Sequence, residues 1–582
     1  MRFPLSKDFF IPFFIFIVAF SVRFYRVTSV PPGLGRDEVS VAYNAYSILK
    51  TGRDEHGRFL PLYFEAIGDQ KLPVIIYISV PSIALFGLTE IGARLPFVLF
   101  GSLTVVFLYL FLKKAFYLNR SIIPQKLIYL APLLFAVNPW HLGHSRAVYE
   151  IILGTFFFMA ASYSFLHGLK SKFWFFISVI FFLIAFYTYS LTRLLSPLLF
   201  IFFCFIYRTE FFQFPRKFRL LVLIFLFIFL LPFIINFFDP GGIYGSKGAV
   251  ILSSSRVKSS IMEFRSYVNT TDAPFLGKLL FNSPVMTVYE YGKNLLTALS
   301  PEFFFARGSY IAGIGTHGLF YMIEFLPLII GLISAVKNAQ NGNKFFQMLI
   351  GWIVLTFLSA SLTVQPPYPT RTLFLVVPFT VIIAFGWIKI INFYKKSPLN
   401  KAVLLSITLI YLWNLTFYFI SYYFRSPVVF AQNWESKNKE LFAYLKKEEN
   451  NFDTVIITKP ELSMYAFFLF YHQIPPDRVW TELERHGTDP DGWRHGKKFG
   501  KYEFRSIDWV NDFKTPKKIL LVSQGNEYSD HQVTTTEILY PEKFTVFPYG
   551  LQVVAYPEKR VAFRIWKFFY NPQIEKFDVL KE

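Results

Sequence analysis

Long apolar blocks recur along the chain and are separated by short polar stretches. A helix that crosses about 30 Å of hydrocarbon needs roughly 20 predominantly apolar residues, and about eleven blocks approach this length. They predict membrane-spanning helices at 8–24, 95–112, 122–138, 149–167, 173–189, 191–207, 218–237, 318–336, 345–363, 371–392 and 401–423.

A further apolar block at 73–88 is shorter and contains Pro73 and Pro81. Segments of this kind are often re-entrant or interfacial. If it does not cross, the loops on one side collect a large excess of lysine and arginine, with Glu210 as the single opposing acid. Cytoplasmic loops carry such an excess. We therefore predict a cytoplasmic N-terminus, an extracytoplasmic C-terminus, and outer stretches at 25–94, 139–148, 238–317, 364–370 and beyond 423.

The chain after residue 423 changes composition and predicts a small extracytoplasmic α/β domain. Helical periodicity runs over 433–447, and β-type patterns occupy 454–458, 519–523, 551–555 and 561–565. The predicted domains are therefore a polytopic α-helical membrane domain at 1–423 and a soluble domain at 424–582.

Composition agrees with a membrane protein and excludes other classes. Hydrophobic residues make up 54% of the chain and charged residues 17%, against about 25% charged in soluble proteins. The net charge of +21 does not indicate nucleic-acid binding, because much of the lysine and arginine lies in short loops that orient the spans. The single cysteine, Cys204, excludes an intrachain disulfide and a cysteine metal cluster.

Two adjacent acids, Asp37 and Glu38, follow the first predicted span in the stretch PPGLGRDE at 31–38. The prolines and glycines predict an irregular turn, and a helix is expected to follow through Ala42 and Leu49. Acids near a helix start also suit the positive end of its dipole. Capping of an interfacial helix is therefore the structural alternative to a catalytic carboxylate.

Asp69 and Lys71 lie in GDQKLP at 68–73, at the mouth of the interfacial segment. Lys71 can contact a substrate anion. The alternative is an interfacial anchor whose ammonium reaches the lipid headgroups.

A third group lies in NPWHLGHSRAVYE at 138–150, where one span ends and the next begins. Arg146 and Glu150 are four residues apart and share a helix face, as in a surface ion pair. Glu150 also enters the membrane zone, where an ionisable group is costly and usually functional. His141 and His144 can ligate a divalent cation together with a carboxylate, although two interfacial histidines are more often ordinary polar residues.

Arg371 opens a predicted span on the outer side, in YPTR at 368–371. A guanidinium there can bind phosphate oxygens through two parallel hydrogen bonds, or it can anchor the span at the interface.

A glycine pattern at 313–318, GIGTHG, matches the dinucleotide-binding sequence G-x-G-x-x-G. No strand precedes it and a span follows, so its required context is absent. The sequence contains no Walker A pattern, which gives no sign of ATP-driven transport.

The order of these motifs resembles the GT-C membrane glycosyltransferases, and most closely glycosyltransferase family 39, which includes protein O-mannosyltransferases and lipid A aminoarabinose transferases. The resemblance rests on a span, an outer Asp-Glu pair, a Lys-x-Pro segment, FGLTE at 86–90 before RLP at 94–96, and an outer Ser145-Arg146 followed by Glu150. It covers roughly 8–390. SPEFFF at 300–305 and the stretch 318–324 look like the later outer loop and span of that family.

The resemblance implies a GT-C-like fold and transfer of a sugar from a polyprenyl-phosphate donor to a glycan, lipid or protein acceptor outside the cytoplasm. Asp37 matches the catalytic carboxylate, Glu38 is its usual neighbour, Lys71 matches a basic residue that faces the lipid phosphate, and Glu150 takes the place of a second acid. Asp69, Arg146 and Arg371 are further candidates for substrate binding.

Two other classes compete with this interpretation. A polyprenyl-lipid flippase or transporter predicts charges near the middle of the spans, whereas these blocks are largely uncharged at their centres. A non-catalytic membrane scaffold that displays the C-terminal domain predicts no convergence of Asp37, Lys71 and Glu150.

Overall fold

The structure, a computed structural model, describes most of the chain in two compact units. The membrane unit comprises Met1–Tyr25 and Pro96–Tyr422, and the helix–sheet unit comprises Arg26–Leu95 and Tyr423–Glu582. The described residues are 7–67, 69–237, 255–269, 274–309, 318–363, 368–395, 398, 400–458, 463–487, 494–508, 517–524, 551–555, 557, 561–571 and 576–578.

A helix lies at each of the eleven predicted spans. Within the described ranges, seven helices are long and apolar enough to cross a membrane by length and composition, and the remaining predicted spans are shorter apolar helices. The helices at the predicted spans are Lys7–Phe24, Glu90–Leu118, Leu127–Ala136, Glu150–Gly168, Lys172–Phe186, Thr192–Ile206, Arg216–Phe237, Phe325–Gln340, Lys344–Ser361, Val376–Tyr394 and Asn400–Ile420. Shorter helices between them are Pro139–His144, Arg208–Phe212, Ser255–Asn269, Pro274–Leu280, Ser283–Ala298, Pro301–Phe305 and Pro369–Thr372.

The spans differ in how deeply they are buried in the protein. About nine-tenths of the most apolar window of Glu150–Gly168 is buried (89%), against 6% for Arg216–Ile235. The first helix therefore belongs to the core of the membrane unit, whereas the second presents apolar side chains outward, as a lipid-facing helix does. Small residues allow close helix packing: a Cβ added to Gly386 would lie 1.9 Å from the carbonyl oxygen of Pro327.

The helix–sheet unit contains two helices from the predicted outer stretch 25–94, Arg36–Thr51 and Pro73–Phe86, and an α/β region from the C-terminal part. Its helices are Arg36–Thr51, Pro73–Phe86, Ser426–Val429, Asn438–Glu448, Met464–Tyr471 and Pro476–Glu482. Helix Pro73–Phe86 has 14 residues, which at 1.5 Å per residue is shorter than the roughly 20 needed to cross.

Ten strands form two sheets within the described residues. Strands β1 (Phe64–Ala66) and β2 (Asp69–Lys71) form an antiparallel hairpin. The larger sheet has the order β10-β9-β7-β3-β6-β5-β4, and β8 pairs with β9. Its strands are β3 (Thr454–Ile457), β4 (Glu484–Arg485), β5 (Gly496–Phe499), β6 (Tyr502–Phe504), β7 (Ile519–Gln524), β8 (Leu551–Ala555), β9 (Val561–Asn571) and β10 (Lys576–Asp578).

Strand β3 lies in the middle of this sheet and is parallel to both β6 and β7. The strands predicted at 454–458, 519–523, 551–555 and 561–565 are all present, as is the helix predicted near 433–447. The small α/β region is therefore confirmed. Its position outside the membrane and a domain boundary at 423/424 stay predictions.

Candidate active site

Asp37 lies in the first turn of Arg36–Thr51, which we call the Asp37 helix. Gly35 is the N-cap in an extended conformation, and its backbone N–H donates to the Glu38 carboxylate at 2.9 Å. The helix expected after the Pro-Gly turn is therefore present. The Glu38 carboxylate makes the capping contact, because it accepts from a backbone N–H at the helix start that has no partner within the helix.

Arg94 holds the turn that precedes the Asp37 helix. Its Nε and Nη2 donate to the two carboxylate oxygens of Glu38 at 3.0 and 2.9 Å. Its Nη1 donates to the carbonyls of Val27 and Pro31 at 2.9 Å each, and Nη2 also donates to the carbonyl of Gly33. Arg94 is fully buried and Glu38 nearly so. A forked, charge-assisted contact of this kind is both strong and directional.

Asp37 is paired with Lys71. The Lys71 ammonium lies 3.2 Å from Asp37 Oδ1, and the side chains are 7% and 55% exposed respectively. Lys71 ends strand β2, where it stands opposite Phe64 of β1. The ammonium is buried against a carboxylate, which does not fit an anchor that reaches the headgroups.

Asp69 begins strand β2 opposite Ala66. Its side chain lies outside the described part of the structure, as does the glycine pattern at 313–317. The role of Asp69 in substrate binding therefore stays a sequence-based hypothesis.

Arg146 belongs to the membrane unit and is fully buried. Its guanidinium donates to the carbonyls of Arg23 and Val22 at 2.5 and 3.3 Å, and it lies 5.3 Å from the ring centroid of Tyr422. A buried cation needs such partners to offset the cost of leaving water.

The two candidate metal ligands are also buried in the membrane unit, in the short helix Pro139–His144. His141 Nδ1 lies 3.1 Å from Arg23 Nη2, and burial together with the Arg23 charge places the pKa of His141 well below its usual value. His144 donates from Nδ1 to the Trp140 carbonyl at 2.9 Å, and its Nε2 lies 3.3 Å from Thr370 Oγ1.

A divalent cation at this site stays a prediction, and the surroundings of His141 disfavour it. The neighbour of His141 is a guanidinium, whose positive charge opposes a metal ion. In the part of the chain that the structure describes, no group of three or more His, Cys, Asp or Glu residues is placed to hold a metal ion.

Glu150 opens the helix Glu150–Gly168 and is partly buried. Arg371 lies in the short helix Pro369–Thr372, and its guanidinium is 5.3 Å from the ring centroid of Tyr368. Both residues belong to the membrane unit, whereas Asp37 and Lys71 belong to the helix–sheet unit. The roles of Glu150 as a second acid and of Arg371 as a phosphate ligand stay proposals.

Sequence reasoning gave no role to Arg94 or Arg23. Each stands at the end of an apolar block, where an ionisable residue is expensive and marks a functional or structural site. The position of each arginine at the end of an apolar block could therefore have marked it as a candidate. The partners could not be inferred, because the groups that Arg94 binds lie 56 to 67 residues earlier in the chain.

No protein-family model matches this sequence, and no curated protein matches it. Solved structures do match. The apo structure of ArnT from Cupriavidus metallidurans gives a TM-score of 0.50 at 13% identity and covers 96% of this chain and 98% of that one. The structure of the same protein bound to undecaprenyl phosphate gives 0.48 at 12% identity, with the same coverage.

The archaeal oligosaccharyltransferase AglB from Archaeoglobus fulgidus, in complex with an inhibitory peptide and a dolichol-phosphate, gives a TM-score of 0.45 at 13% identity over 81% of this chain. This chain corresponds to 64% of the length of that protein. At 13% identity, the match to the apo ArnT structure is evidence of a shared fold only. The chain therefore shares its fold with that ArnT, a polytopic helical membrane architecture joined to a small C-terminal α/β region.

Proposed function

We propose that the protein is a membrane glycosyltransferase of the family 39 type. It transfers a sugar from a polyprenyl-phosphate-linked donor to a glycan, lipid or protein acceptor on the extracytoplasmic face. The GT-C fold supports this class, and the ArnT that shares the fold has also been solved with undecaprenyl phosphate bound.

The observation that carries the proposal is the pairing of Asp37 with Lys71. The carboxylate is more than half exposed at the head of a buried helix, whereas the ammonium beside it is almost wholly buried. An exposed carboxylate can meet an incoming acceptor. A fixed, desolvated ammonium next to it can interact strongly with a phosphate, because few water molecules screen its charge.

In the proposed reaction the acceptor hydroxyl attacks the anomeric carbon of the donor sugar. The bond from the acceptor oxygen to that carbon forms, the bond from the carbon to the phosphate oxygen breaks, and polyprenyl phosphate leaves. Asp37 takes the hydroxyl proton as the bond forms, a contribution typically worth about 10²–10⁴-fold in rate. Lys71 offsets the charge that develops on the leaving phosphate.

Glu38 has a different proposed role from its neighbour. Both of its oxygens accept hydrogen bonds from Arg94, and one also accepts from the Gly35 N–H. A carboxylate held this way is a poor candidate for proton transfer and a good one for fixing the turn before Asp37. The sequence-based proposals are kept for Glu150 as a second acid and for Arg146 and Arg371 as further contacts to the donor phosphate.

The test is the variant Asp37→Asn in the full-length, membrane-inserted protein. We expect loss of sugar transfer from a radiolabelled polyprenyl-phosphate sugar into native membranes, with normal expression and insertion. Asp477→Asn is the matched control, because Asp477 is an exposed acid in the first turn of helix Pro476–Glu482 in the same unit. Full activity of Asp37→Asn would end the assignment of the base.

Transfer lost in Asp37→Asn and kept in Asp477→Asn would also argue against a flippase. A flippase has no need of a general base, so it predicts that lipid translocation survives the loss of the carboxylate.

A further inference from the structure

Most of the Asp37 helix between Glu38 and Ile48 is buried within the helix–sheet unit, including the polar residues Ser40, Asn44 and Ser47. It packs against Pro73–Phe86 on one side and against Met464–Tyr471 of the C-terminal part on the other. The element that carries the proposed base therefore has its position set in part by residues more than 400 positions later in the chain.

A buried carboxylate, Glu55, links that C-terminal helix to the Asp37 helix. Glu55 is 1% exposed. Its Oε1 accepts from the Tyr465 hydroxyl at 3.2 Å and lies 3.2 Å from His56 Nε2. On its other side, the Glu55 backbone N–H donates to Asn44 Oδ1 at 3.1 Å, and Asn44 Nδ2 lies 3.5 Å from Glu55 Oε2.

Backbone contacts reinforce the same connection. The Tyr43 hydroxyl donates to the carbonyl of Ile474 at 2.7 Å, and Trp480 Nε1 donates to the carbonyl of Asp54 at 3.0 Å. Arg485 Nη2 donates to the carbonyl of Glu55 at 3.2 Å. The loop that carries Glu55 is thus tied at its backbone to the C-terminal part, and the contacts of Glu55 with Asn44 tie it to the Asp37 helix.

Asn44 follows Asp37 by seven residues, so both lie on the same face of the helix, about 10 Å apart along its axis. Fixing the Asn44 side chain fixes the rotation of the helix at Asp37. A rotation of about 10° moves a carboxylate that lies about 5–6 Å from the axis by about 1 Å. A displacement of that size at a catalytic group can cost about 10²-fold in rate.

We propose that Tyr465, acting through Glu55 and Asn44, is a positioning residue for Asp37, so that the C-terminal α/β region is a working part of the transferase rather than an appendage. This proposal rests on the proposed function. It gives the C-terminal region a role that needs no contact with either substrate.

The first test is Tyr465→Phe, which keeps the buried ring and removes only the hydroxyl. We expect kcat to fall about ten- to hundredfold while the donor KM stays within about twofold, because substrate binding is retained and transition-state geometry is lost. The matched control is Tyr502→Phe. Tyr502 is also buried in this unit and donates to a carboxylate, that of Glu449, at 2.5 Å, so it reports the effect of losing such a bond on stability alone.

The second test removes the contact between Glu55 and Asn44, on the other side of Glu55 from Tyr465. Asn44→Ala is expected to reproduce the fall in kcat. The kcat of the double variant Tyr465→Phe/Asn44→Ala is expected to be about the same as that of the less active single variant. Residues that act through one path are non-additive in this way. Single losses that multiply in the double variant would overturn the proposal.

The outcomes separate this proposal from the proposed function. If Asp37→Asn is inactive and Tyr465→Phe keeps wild-type kcat, or loses no more kcat than Tyr502→Phe, the positioning role is wrong and the function stands. If Asp37→Asn is fully active, both the proposed function of Asp37 and the positioning role of Tyr465 are wrong. Inactive Asp37→Asn together with a kcat-specific, non-additive loss in the Tyr465 and Asn44 variants supports both.

Discussion

Replacing Arg94 by methionine is expected to destabilise the turn that presents Asp37. Methionine fills much of the same space but removes every donor. Glu38 is then left as a buried carboxylate, 3% exposed, that keeps the Gly35 N–H as a donor but loses the charged donors of Arg94. The carbonyls of Val27, Pro31 and Gly33 lose the guanidinium as well.

The size of the effect follows from these contacts. Removing one partner of a buried ion pair costs about 3–5 kcal/mol, because the other charge is left uncompensated. Each buried acceptor that finds no new donor adds roughly 1–3 kcal/mol. A free energy loss of at least about 3–5 kcal/mol is a large share of the stability of a typical domain, which is about 5–15 kcal/mol.

A second substitution separates charge from packing. In Arg94→Met/Glu38→Gln the buried charge is gone, so this double variant is expected to be more stable than Arg94→Met and less stable than the wild type. Arg478→Met is the control, because Arg478 is half exposed and pairs with Glu482 at the surface, where such pairs contribute little.

The assay is the temperature at which the detergent-solubilised protein loses its monodisperse peak in size-exclusion chromatography after heating at a fixed rate. A fixed rate is needed, because unfolding of large proteins is often irreversible. The expected order is wild type and Arg478→Met highest, the double variant next, and Arg94→Met lowest. Wild-type behaviour of Arg94→Met, or a double variant less stable than Arg94→Met, would refute the reasoning.

Two further predictions follow from the same unit. Gly33 has a φ of +72°, and a Cβ at this position would lie 2.4 Å from Ser436 Cα. Gly33→Ala is therefore expected to lower both the heating midpoint and the transfer activity. An unchanged midpoint would contradict this prediction. Burial alone would raise the pKa of Glu55, but the hydrogen bond and charge of His56, the charge of Arg485 and the hydrogen bond from Tyr465 together hold the pKa below its ordinary value of 4.5. A depressed pKa contributes stability above the unfolded-state value that is lost as the pH falls through the folded-state value. Acidification from pH 7 to below about 4.5 should therefore lower the heating midpoint of the wild type more than that of Glu55→Gln, and equal shifts would count against the assignment.

The sequence alone determined most of the secondary structure. Apolar block length predicted a helix at each of the eleven spans, and alternation with β-branched residues predicted the strands at 454–458 and 519–523. These signals are local, because a span or a strand is specified by residues that are neighbours in the chain. The sequence also identified Asp37 and Lys71 as separate candidates. It could not exclude that Asp37 only caps a helix or that Lys71 is only an interfacial anchor.

Only the tertiary structure decided how these residues are used. It pairs Lys71 with Asp37 and Glu38 with Arg94, and it buries Ser40, Asn44 and Ser47 of the Asp37 helix. It also joins Glu55 to Tyr465, which lies 410 positions away. A hydrogen bond or ion pair depends on distances of about 3 Å between side chains, and chain topology sets those distances. No local pattern in the sequence records them.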